Sequence, residues 1–419
     1  MRKALLFIGA SISAALSAAC GAGGTNANGN ANTGDAGANT ADAGAEAAAA
    51  PGACVPADTT PCTSYTFPIE DGGTTTIQLG PYGAQADPNV GTGFENTVQS
   101  SDEPGSTTCK GFAALFSETP ALTNELLSTS MNGITINFAL YSAYHPVQWP
   151  STPVPVITWG NGTCAQPEGY GALLRYVASY GYFIIAANSR EVGSNNSDGS
   201  QPMLKALDYA ASANQDPTSP YYQKLDLTRI GAMGHSQGGQ ATATAAADSR
   251  ILYVIDFNAV DMSIPKPYLA VSGTDDITGF TASGMSSAID GASLPAAYLY
   301  YLDPVGSSTD LIKGHLVLML TPGRVTSQTV AWWQMWFRND APSAADFIGP
   351  NCGFCNQGSS TTNPYDYGAN SLLGSDAGAP STTDEEGGAP DASGAADAGG
   401  APDASGTADA GGAADATSP

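Results

Sequence analysis

The sequence predicts an α/β domain in which helices cover both faces of a mostly parallel β-sheet. From about residue 132 onward, short apolar runs rich in β-branched residues alternate with segments whose apolar residues recur three and four positions apart. Such alternation is typical of strands joined by crossover helices, and the continuous apolar character of the strands indicates burial on both sides of the sheet. Residues 54–374 are numerous enough to form this fold as one domain.

Each predicted element follows from its own local pattern. β-Branched and aromatic runs that stop at glycine or polar residues predict strands, at residues 133–145, 153–162, 182–189, 229–236, 251–260, 267–273 and 296–303. Apolar residues at helical spacing predict helices, at residues 169–181, 201–215, 238–249 and 326–340. Residues 54–131 contain many turn residues, so we expect edge strands and loops there.

The first 19 residues have the layout of an export signal. A basic start, MRK, precedes an apolar run too short to span a bilayer, and small residues lead up to Cys20. The stretch SAAC resembles a bacterial lipoprotein processing site, which implies an acylated Cys20. Leu16 stands four rather than three positions before that cysteine, so cleavage after Ala19 and plain secretion stay open. We expect an outer-membrane or cell-surface lipoprotein, or otherwise a secreted protein.

Two segments lack the large apolar side chains that a core requires. After Cys20, residues 21–53 consist largely of small and polar residues, which cannot bury enough surface to offset the entropy of ordering. In residues 375–419, the stretch GGAPDASGAADA is followed by GGAPDASGTADA. We therefore expect a disordered linker over 20–53, a folded domain over 54–374 and a disordered acidic tail beyond it.

The charge balance favours a neutral substrate. The chain has 38 acidic and 13 basic residues, and residues 54–374 keep 26 acidic against 11 basic ones, a net charge of −15. A protein this acidic repels nucleic acid and anionic lipid. We expect a monomer that binds no nucleic acid and contacts a membrane only through a lipid on Cys20.

Seven cysteines are consistent with an oxidising compartment. If Cys20 carries a lipid, six remain for disulfides. Cys352 and Cys355 have the spacing of a redox pair or of half a zinc site, but no second such pair and no histidine lies nearby, which favours a local disulfide. The pairing of the other four stays open, and we expect no metal and no cofactor.

The segment RIGAMGHSQGGQATA contains the pattern G-x-S-x-G around Ser236. In a chain with 50 glycines the pattern alone is weak, but a predicted buried strand precedes it and a predicted helix follows it. Gly234 and Gly238 leave room where the strand and helix approach each other, and the helix N-terminus stabilises developing negative charge. This context predicts Ser236 as a nucleophile on a sharp strand–helix turn.

A serine hydroxyl needs a base, and the chain has three histidines. His235 adjoins Ser236 and leaves the turn in another direction, and His145 precedes both. When the nucleophile lies on such a strand–helix turn, the acid and then the histidine follow it in the chain. Of the three histidines, only His315 follows Ser236, so we predict His315 as the base.

The acid is expected after the strand at 267–273, where two neighbouring aspartates stand. The spacing from Gly273 favours Asp276, and Asp275 remains an alternative.

The glycine-rich loop after the strand at 153–162 can approach a substrate carbonyl closely. We predict the backbone N–H groups of Thr163 and Gln237 as an oxyanion hole. Asn161 is a candidate further contributor, and we predict Asn161 and Trp159 as substrate-binding residues.

Together, TWGNGTCAQPEGYGALLRYVASYGYFIIAAN, LDLTRIGAMGHSQGGQA and AVSGTDD resemble the cutinase-like and dienelactone-hydrolase-like branch of the α/β-hydrolases, which includes bacterial polyester hydrolases. The resemblance covers about residues 150–340. It implies an α/β-hydrolase fold, a triad of Ser236, Asp276 and His315, and hydrolysis of neutral carboxylic esters, polymers included, through an acyl-enzyme. Members that cleave aromatic polyesters often carry a Trp where this chain has Val260-Asp261-Met262, a departure that weakens aromatic stacking as a substrate contact.

Two other functions stay open on the sequence. The same scaffold could serve as a non-catalytic surface binding lipoprotein, because a fold does not guarantee activity. A serine peptidase would keep the chemistry and change the substrate, although the sequence shows no propeller or large lid domain for selecting peptides.

Overall fold

The computed structural model describes residues 53–54, 61–68, 74–90, 93–94, 128–131, 134–137, 141–163, 165–188, 199–259, 263–274, 276–302, 314–320, 322–357 and 365–376. The predicted signal, almost all of the predicted linker, and the tail beyond residue 376 lie outside this set, as do Asp275 and the segment Val260-Asp261-Met262.

The described strands fall into one large sheet and two small ones. In chain order they are β1 (Ala53–Cys54), β2 (Ser64–Pro68), β3 (Thr74–Gln78), β4 (Gln85–Val90), β5 (Gly93–Phe94), β6 (Ser128–Met131), β7 (Ile134–Asn137), β8 (Tyr141–His145), β9 (Val154–Gly160), β10 (Phe183–Ala187), β11 (Leu225–His235), β12 (Ile251–Phe257), β13 (Tyr268–Gly273), β14 (Ala296–Tyr301) and β15 (Tyr365–Ala369).

The described helices follow the strands of the large sheet or precede its last strand. They are α1 (Gly171–Ala178), α2 (Gln201–Gln215), α3 (Gln237–Ala245), α4 (Ala282–Asp290), α5 (Val317–Leu320), α6 (Thr326–Arg338), α7 (Ala341–Phe347), α8 (Gly353–Gln357) and α9 (Ser371–Asp376). Two short 3₁₀ turns, Pro167–Tyr170 and Pro322–Arg324, precede α1 and α6.

The large sheet has nine strands in the order β15-β14-β13-β12-β11-β9-β10-β8-β4. Strands β10, β9, β11, β12, β13 and β14 run parallel, whereas β15 and β8 pair with their neighbours in antiparallel fashion. The small sheets have the orders β1-β2-β3 and β5-β7-β6. The structure therefore confirms the predicted α/β class with a mostly parallel sheet.

Helices pack on both faces of this sheet, because neighbouring strand residues point to opposite sides. Ile157 belongs to one apolar cluster, with side chains of α1 and α6. Val156 belongs to a second cluster, with side chains of α2, α3 and α4. A fully buried side chain of this size contributes about 1.5–3 kcal/mol relative to an exposed one. Burial on both faces explains why the strands read as unbroken apolar runs.

The strand order reverses around β9. The chain passes from β9 to β10 on one side, then returns to place β11 on the other side and continues outward to β14. At such a switch point, the loops that leave the carboxyl ends of adjacent parallel strands diverge and open a crevice. The loop after β9 and the turn after β11 meet there.

One predicted strand is wrong. Residues 133–145 form β7 in a small sheet and β8 in the large sheet rather than a single strand. Both halves are rich in strand-forming residues, so the pattern alone could not show where the chain leaves one sheet for another.

Several elements near the C-terminus were not predicted. Helices α4, α7, α8 and α9 are rich in small residues, which give weak periodicity. Strand β15 contains Asp366 and Gly368, both poor strand formers, and its conformation is set by pairing with β14.

The structure contains the predicted local disulfide between Cys352 and Cys355. Cys62 is disulfide-bonded as well. Among the described residues, no helix combines the length and apolar character needed to cross a bilayer.

Candidate active site

Ser236 stands at the sharp turn between β11 and α3. Its backbone has φ 57° and ψ −122°, a conformation that non-glycine residues rarely adopt and that costs of the order of 1–3 kcal/mol. The Ser236 N–H donates to the carbonyl of Phe257 at 2.8 Å, and its own carbonyl accepts from the N–H of Gln240. These two bonds hold the strained turn in place.

Helix α3 lies so close to β9 and β11 that both glycines of the G-x-S-x-G pattern are needed. A Cβ on Gly234 would collide with the carbonyl of Gly238 and with Thr242. A Cβ on Gly238 would collide with the carbonyl oxygens of Gly160 and Asn161. Backbone atoms cannot rotate out of the way, so a larger residue would push the helix off the sheet.

Ser236, His315 and Asp276 form a continuous hydrogen-bonded chain. His315 Nε2 lies 2.9 Å from Ser236 Oγ, and His315 Nδ1 lies 2.8 Å from Asp276 Oδ1. A carboxylate only accepts hydrogen bonds, so Nδ1 carries the proton and Nε2 presents its lone pair to the serine hydroxyl. The structure thus brings together the three residues that the sequence predicted as a triad, in the geometry of a nucleophile, its base and an orienting acid.

Asp276 is buried and surrounded by donors. Oδ2 accepts from Ser272 Oγ at 2.8 Å and from Asn258 Nδ2 at 2.5 Å, and Oδ1 accepts from the Thr278 N–H at 2.9 Å. Burial by itself raises the pKa of Asp276, but the hydrogen bond and charge of His315, together with the bonds from Asn258 and Thr278, lower that pKa well below its usual range. The carboxylate therefore stays ionised at neutral pH. Asp275, the alternative acid, lies outside the described residues.

The two predicted oxyanion-hole residues contact each other. Thr163 Oγ1 donates to Gln237 Oε1 at 2.6 Å, which fastens the loop after β9 to the first residue of α3. Backbone N–H groups in the first turn of a helix point out of its N-terminus. The structure therefore places both residues beside the turn that bears Ser236, and both are half-buried.

The predicted substrate contacts do not fit the structure. Trp159 and Asn161 are fully buried. Trp159 Nε1 donates to Asn161 Oδ1 at 2.9 Å, and Asn161 Nδ2 donates to the carbonyl of Ala187 at 2.7 Å. With no exposed surface and its amide bonded on both sides, Asn161 supports the loop after β9 from below. Trp159 is equally buried and its ring packs in the core, so the prediction that it contacts the substrate is wrong.

His235 is buried directly beneath the site. Its Nδ1 lies 3.0 Å from the Tyr170 hydroxyl, and its Nε2 lies 2.7 Å from the backbone carbonyl of His315. Burial, and next the charge of nearby His315, lower the pKa of His235 to about 3. Its ring is therefore neutral at physiological pH.

Sequence reasoning missed the side chains that surround the triad. Asn258 and Ser272 bind the acid, and Tyr170 binds His235. Asn258 and Ser272 do carry a signal, because each is a polar residue at the carboxyl end of a buried strand in the sheet that bears Ser236. Tyr170 carries no such signal, since one tyrosine among 18 gives no hint of its partner. In the described part of the chain, no group of three or more His, Cys, Asp or Glu is placed to hold a metal ion.

A comparison with protein families agrees with this geometry. Residues 144–292 match the PETase family model. That model is described as PET hydrolase-like, and the match confirms the resemblance to α/β-hydrolase-type polyester hydrolases that the sequence motifs predicted. The PETase-like segment includes Thr163, Ser236, Gln237 and Asp276, whereas His315 lies beyond its end. No curated protein matches the chain.

Proposed function

We propose that this protein is a serine hydrolase with an α/β-hydrolase fold that cleaves carboxylic esters through an acyl-enzyme. The hydrogen-bonded chain from Ser236 through His315 to Asp276, at the carboxyl end of a parallel sheet, carries the proposal. The PETase-like segment supports an ester as the bond that is cleaved.

In the first half of the reaction, Ser236 Oγ attacks the ester carbonyl carbon while His315 Nε2 removes the hydroxyl proton. The tetrahedral intermediate then collapses, its bond to the alkoxy group breaks, and His315 returns the proton to the departing alcohol. The acyl group remains on Ser236. Asp276 stays ionised throughout and stabilises the imidazolium that forms at each proton transfer.

In the second half, a water molecule attacks the acyl-enzyme with His315 again acting as base. The carboxylic acid leaves and Ser236 recovers its proton. We assign stabilisation of both tetrahedral intermediates to the backbone N–H groups of Thr163 and Gln237, because the bond between their side chains holds the two backbones beside the nucleophile.

We further propose that the substrate is a neutral ester and that it can be polymeric. The net negative charge of the chain disfavours polyanions, and the description of the matching family points to polyesters.

The N-terminal pattern supports export and a lipid on Cys20. Incorporation of labelled palmitate into the wild type but not into Cys20→Ser would support the lipid. A wild type that incorporates no labelled palmitate would favour plain secretion instead.

Hydrolysis of p-nitrophenyl acetate and butyrate by the full chain tests the reaction. We expect the wild type to turn over both esters and Ser236→Ala to lose about 10⁴-fold or more in kcat, because the three triad residues act as a unit. Ser283→Ala, which makes the same change at the exposed start of α4, is the matched control and should keep the wild-type rate. Equal turnover by wild type and Ser236→Ala would contradict the proposal.

A wild type with no turnover, and with no fluorophosphonate label on Ser236, would favour the non-catalytic binding lipoprotein.

For an active wild type, the release of soluble products from an aliphatic polyester film, compared with hydrolysis of the soluble esters, tests the polymeric substrate.

A further inference from the structure

The ring of His235 connects two segments that the proposed reaction needs. One ring nitrogen faces Tyr170 and the other faces the backbone of His315. Tyr170 Oη also accepts from the N–H of Gly162, at 2.9 Å, in the loop after β9. A buried hydrogen-bonded path therefore runs from the loop after β9, beneath the nucleophile turn, to the residue that supplies the base.

The direction of each bond in this path is fixed by chemistry. The carbonyl of His315 only accepts, so His235 Nε2 carries the proton. Because burial keeps the imidazole neutral, Nδ1 is an acceptor and the Tyr170 hydroxyl donates to it. Tyr170 can then accept from Gly162 while it donates to His235. Each polar atom in the path has a partner of the right kind.

We propose that His235 is a positioning residue for catalysis, which acts through its Nε2–H bond to the His315 backbone and is itself oriented by Tyr170. The inference rests on the proposed hydrolase function and assigns no proton transfer to His235. The two imidazole rings lie 4.8 Å apart, centroid to centroid. A neutral ring at that distance does not oppose the positive charge that His315 acquires at each proton transfer.

The packing around the path leaves it little freedom. His235 and Tyr170 are buried, with ring centroids 5.5 Å apart. A Cβ on Gly162 would come within 2.8 Å of both His235 Nδ1 and Tyr170 Oη. Only glycine at position 162 leaves room for these hydrogen bonds. The bonds in turn hold the loop that bears Thr163 in a fixed position relative to His235.

Two substitutions at residue 235 separate the two contacts. The amide of His235→Asn overlaps Nδ1 and can keep the Tyr170 contact, whereas the longer amide of His235→Gln reaches the position of Nε2 and can donate to the His315 carbonyl. We expect His235→Asn to lose about 10–100-fold in kcat with little change in KM, because a base displaced by a fraction of an ångström transfers protons poorly. His235→Gln should recover most of that loss.

A milder variant and a second background separate positioning from folding. Tyr170→Phe removes the hydroxyl that orients His235 and accepts from the Gly162 N–H, and it should lower kcat less than His235→Asn does. Tyr222→Phe on the surface is the matched control. In a His315→Ala background, His235→Asn should cause no further loss in the rate of fluorophosphonate labelling of Ser236, because the imidazole that His235 positions is gone although the backbone carbonyl remains. The melting temperature of every variant is measured alongside.

The outcomes separate the inference from the proposed function. A wild type that is not labelled at Ser236 would overturn both. A labelled wild type with equal kcat for His235→Asn and wild type, equal losses for the Asn and Gln variants, or a loss that persists in the His315→Ala background would overturn the positioning role alone.

Discussion

Asp276 shows how the surroundings of one side chain determine its chemistry. Its carboxylate is buried but accepts from His315, Ser272, Asn258 and the Thr278 amide. These donors stabilise the charged form more than burial destabilises it, so Asp276 is ionised at neutral pH, where the proposed mechanism requires His315 to accept a proton. The same donors fix the direction from which Asp276 meets the imidazole.

Replacing the acid should therefore damage catalysis while leaving the shape of the site nearly intact. We expect Asp276→Asn to lower kcat for p-nitrophenyl butyrate by about 10⁴-fold, because an amide can donate to Nδ1 and thereby hold the wrong tautomer, with the proton on Nε2. Asp275→Asn is the control and should retain most of the activity. A larger loss in Asp275→Asn would transfer the role to that residue.

At this scale, the sequence predicted the triad because its members carry strong constraints. Ser236 lies in a motif with a strand before it and a helix after it, and His315 is one of three histidines. Trp159 and Asn161 were misjudged because a polar or aromatic residue beside a catalytic loop can face either the substrate or the core, and only the packing decides. Tyr170 contacts His235 rather than the triad, so no local pattern marks it, whereas Asn258 is marked only by its place directly after a buried strand.

At the scale of elements, the approach of α3 to the sheet sets the position of Ser236. Its first turn rests on the backbone of residues 160–161 through Gly238. The contact joins the helix that follows Ser236 to the strand that leads into the predicted oxyanion loop. A change in this packing should therefore affect stability and catalysis together.

Gly238→Ala tests this contact. Its methyl group would collide with two carbonyl oxygens, so we expect a loss of about 1–3 kcal/mol in the free energy of unfolding, measured by urea denaturation, and a fall in kcat. Gly291→Ala is the matched control, because a Cβ there meets its nearest neighbour at an ordinary 3.5 Å. If the two alanine variants were equally stable and active, the close packing of α3 would not be what positions Ser236.

Element boundaries were predictable where glycine or a change of period marks them, as for α2 over Gln201–Gln215. They were not predictable where the same residue types continue across a change of sheet, as between β7 and β8. Strand β15 depends on its partner β14 rather than on its own residues, so no reading of its five residues could have found it.

At the scale of the whole molecule, the alternation of strands and helices predicted the sheet, but the strand order required the structure. The order places β11 beside β9 although β10 lies between them in the chain. Non-local pairing of this kind follows from how the helices pack on both faces, which periodicity does not encode.

The edge of the sheet opposite β15 is held by a polar cluster around Asp87. The Asp87 carboxylate accepts from Tyr221 Oη at 2.7 Å, from Gln85 Nε2 at 2.9 Å and from His145 Nε2 at 3.0 Å. Asp87 lies on β4, His145 ends β8, and Tyr221 lies in the connection that leads to β11. The cluster thus fastens the two outermost strands to the parallel part of the sheet.

This cluster should make stability depend on pH. Burial raises the pKa of Asp87, but the bonds from His145 and Tyr221, the charge of His145 and the bond from Gln85 lower it overall below its ordinary value. A carboxyl whose pKa is lower in the folded state stabilises the fold above its unfolded pKa of about 3.9, and this stabilisation disappears as the pH falls through the folded value. We therefore expect Asp87→Asn to lower the free energy of unfolding by about 1–3 kcal/mol at pH 7, with a smaller difference from wild type below about pH 4. Urea denaturation at pH 7 and below about pH 4 measures the difference in the free energy of unfolding. The exposed Asp290→Asn is the control. A difference between Asp87→Asn and wild type that stays constant with pH would show that the Asp87 charge does not stabilise the sheet edge.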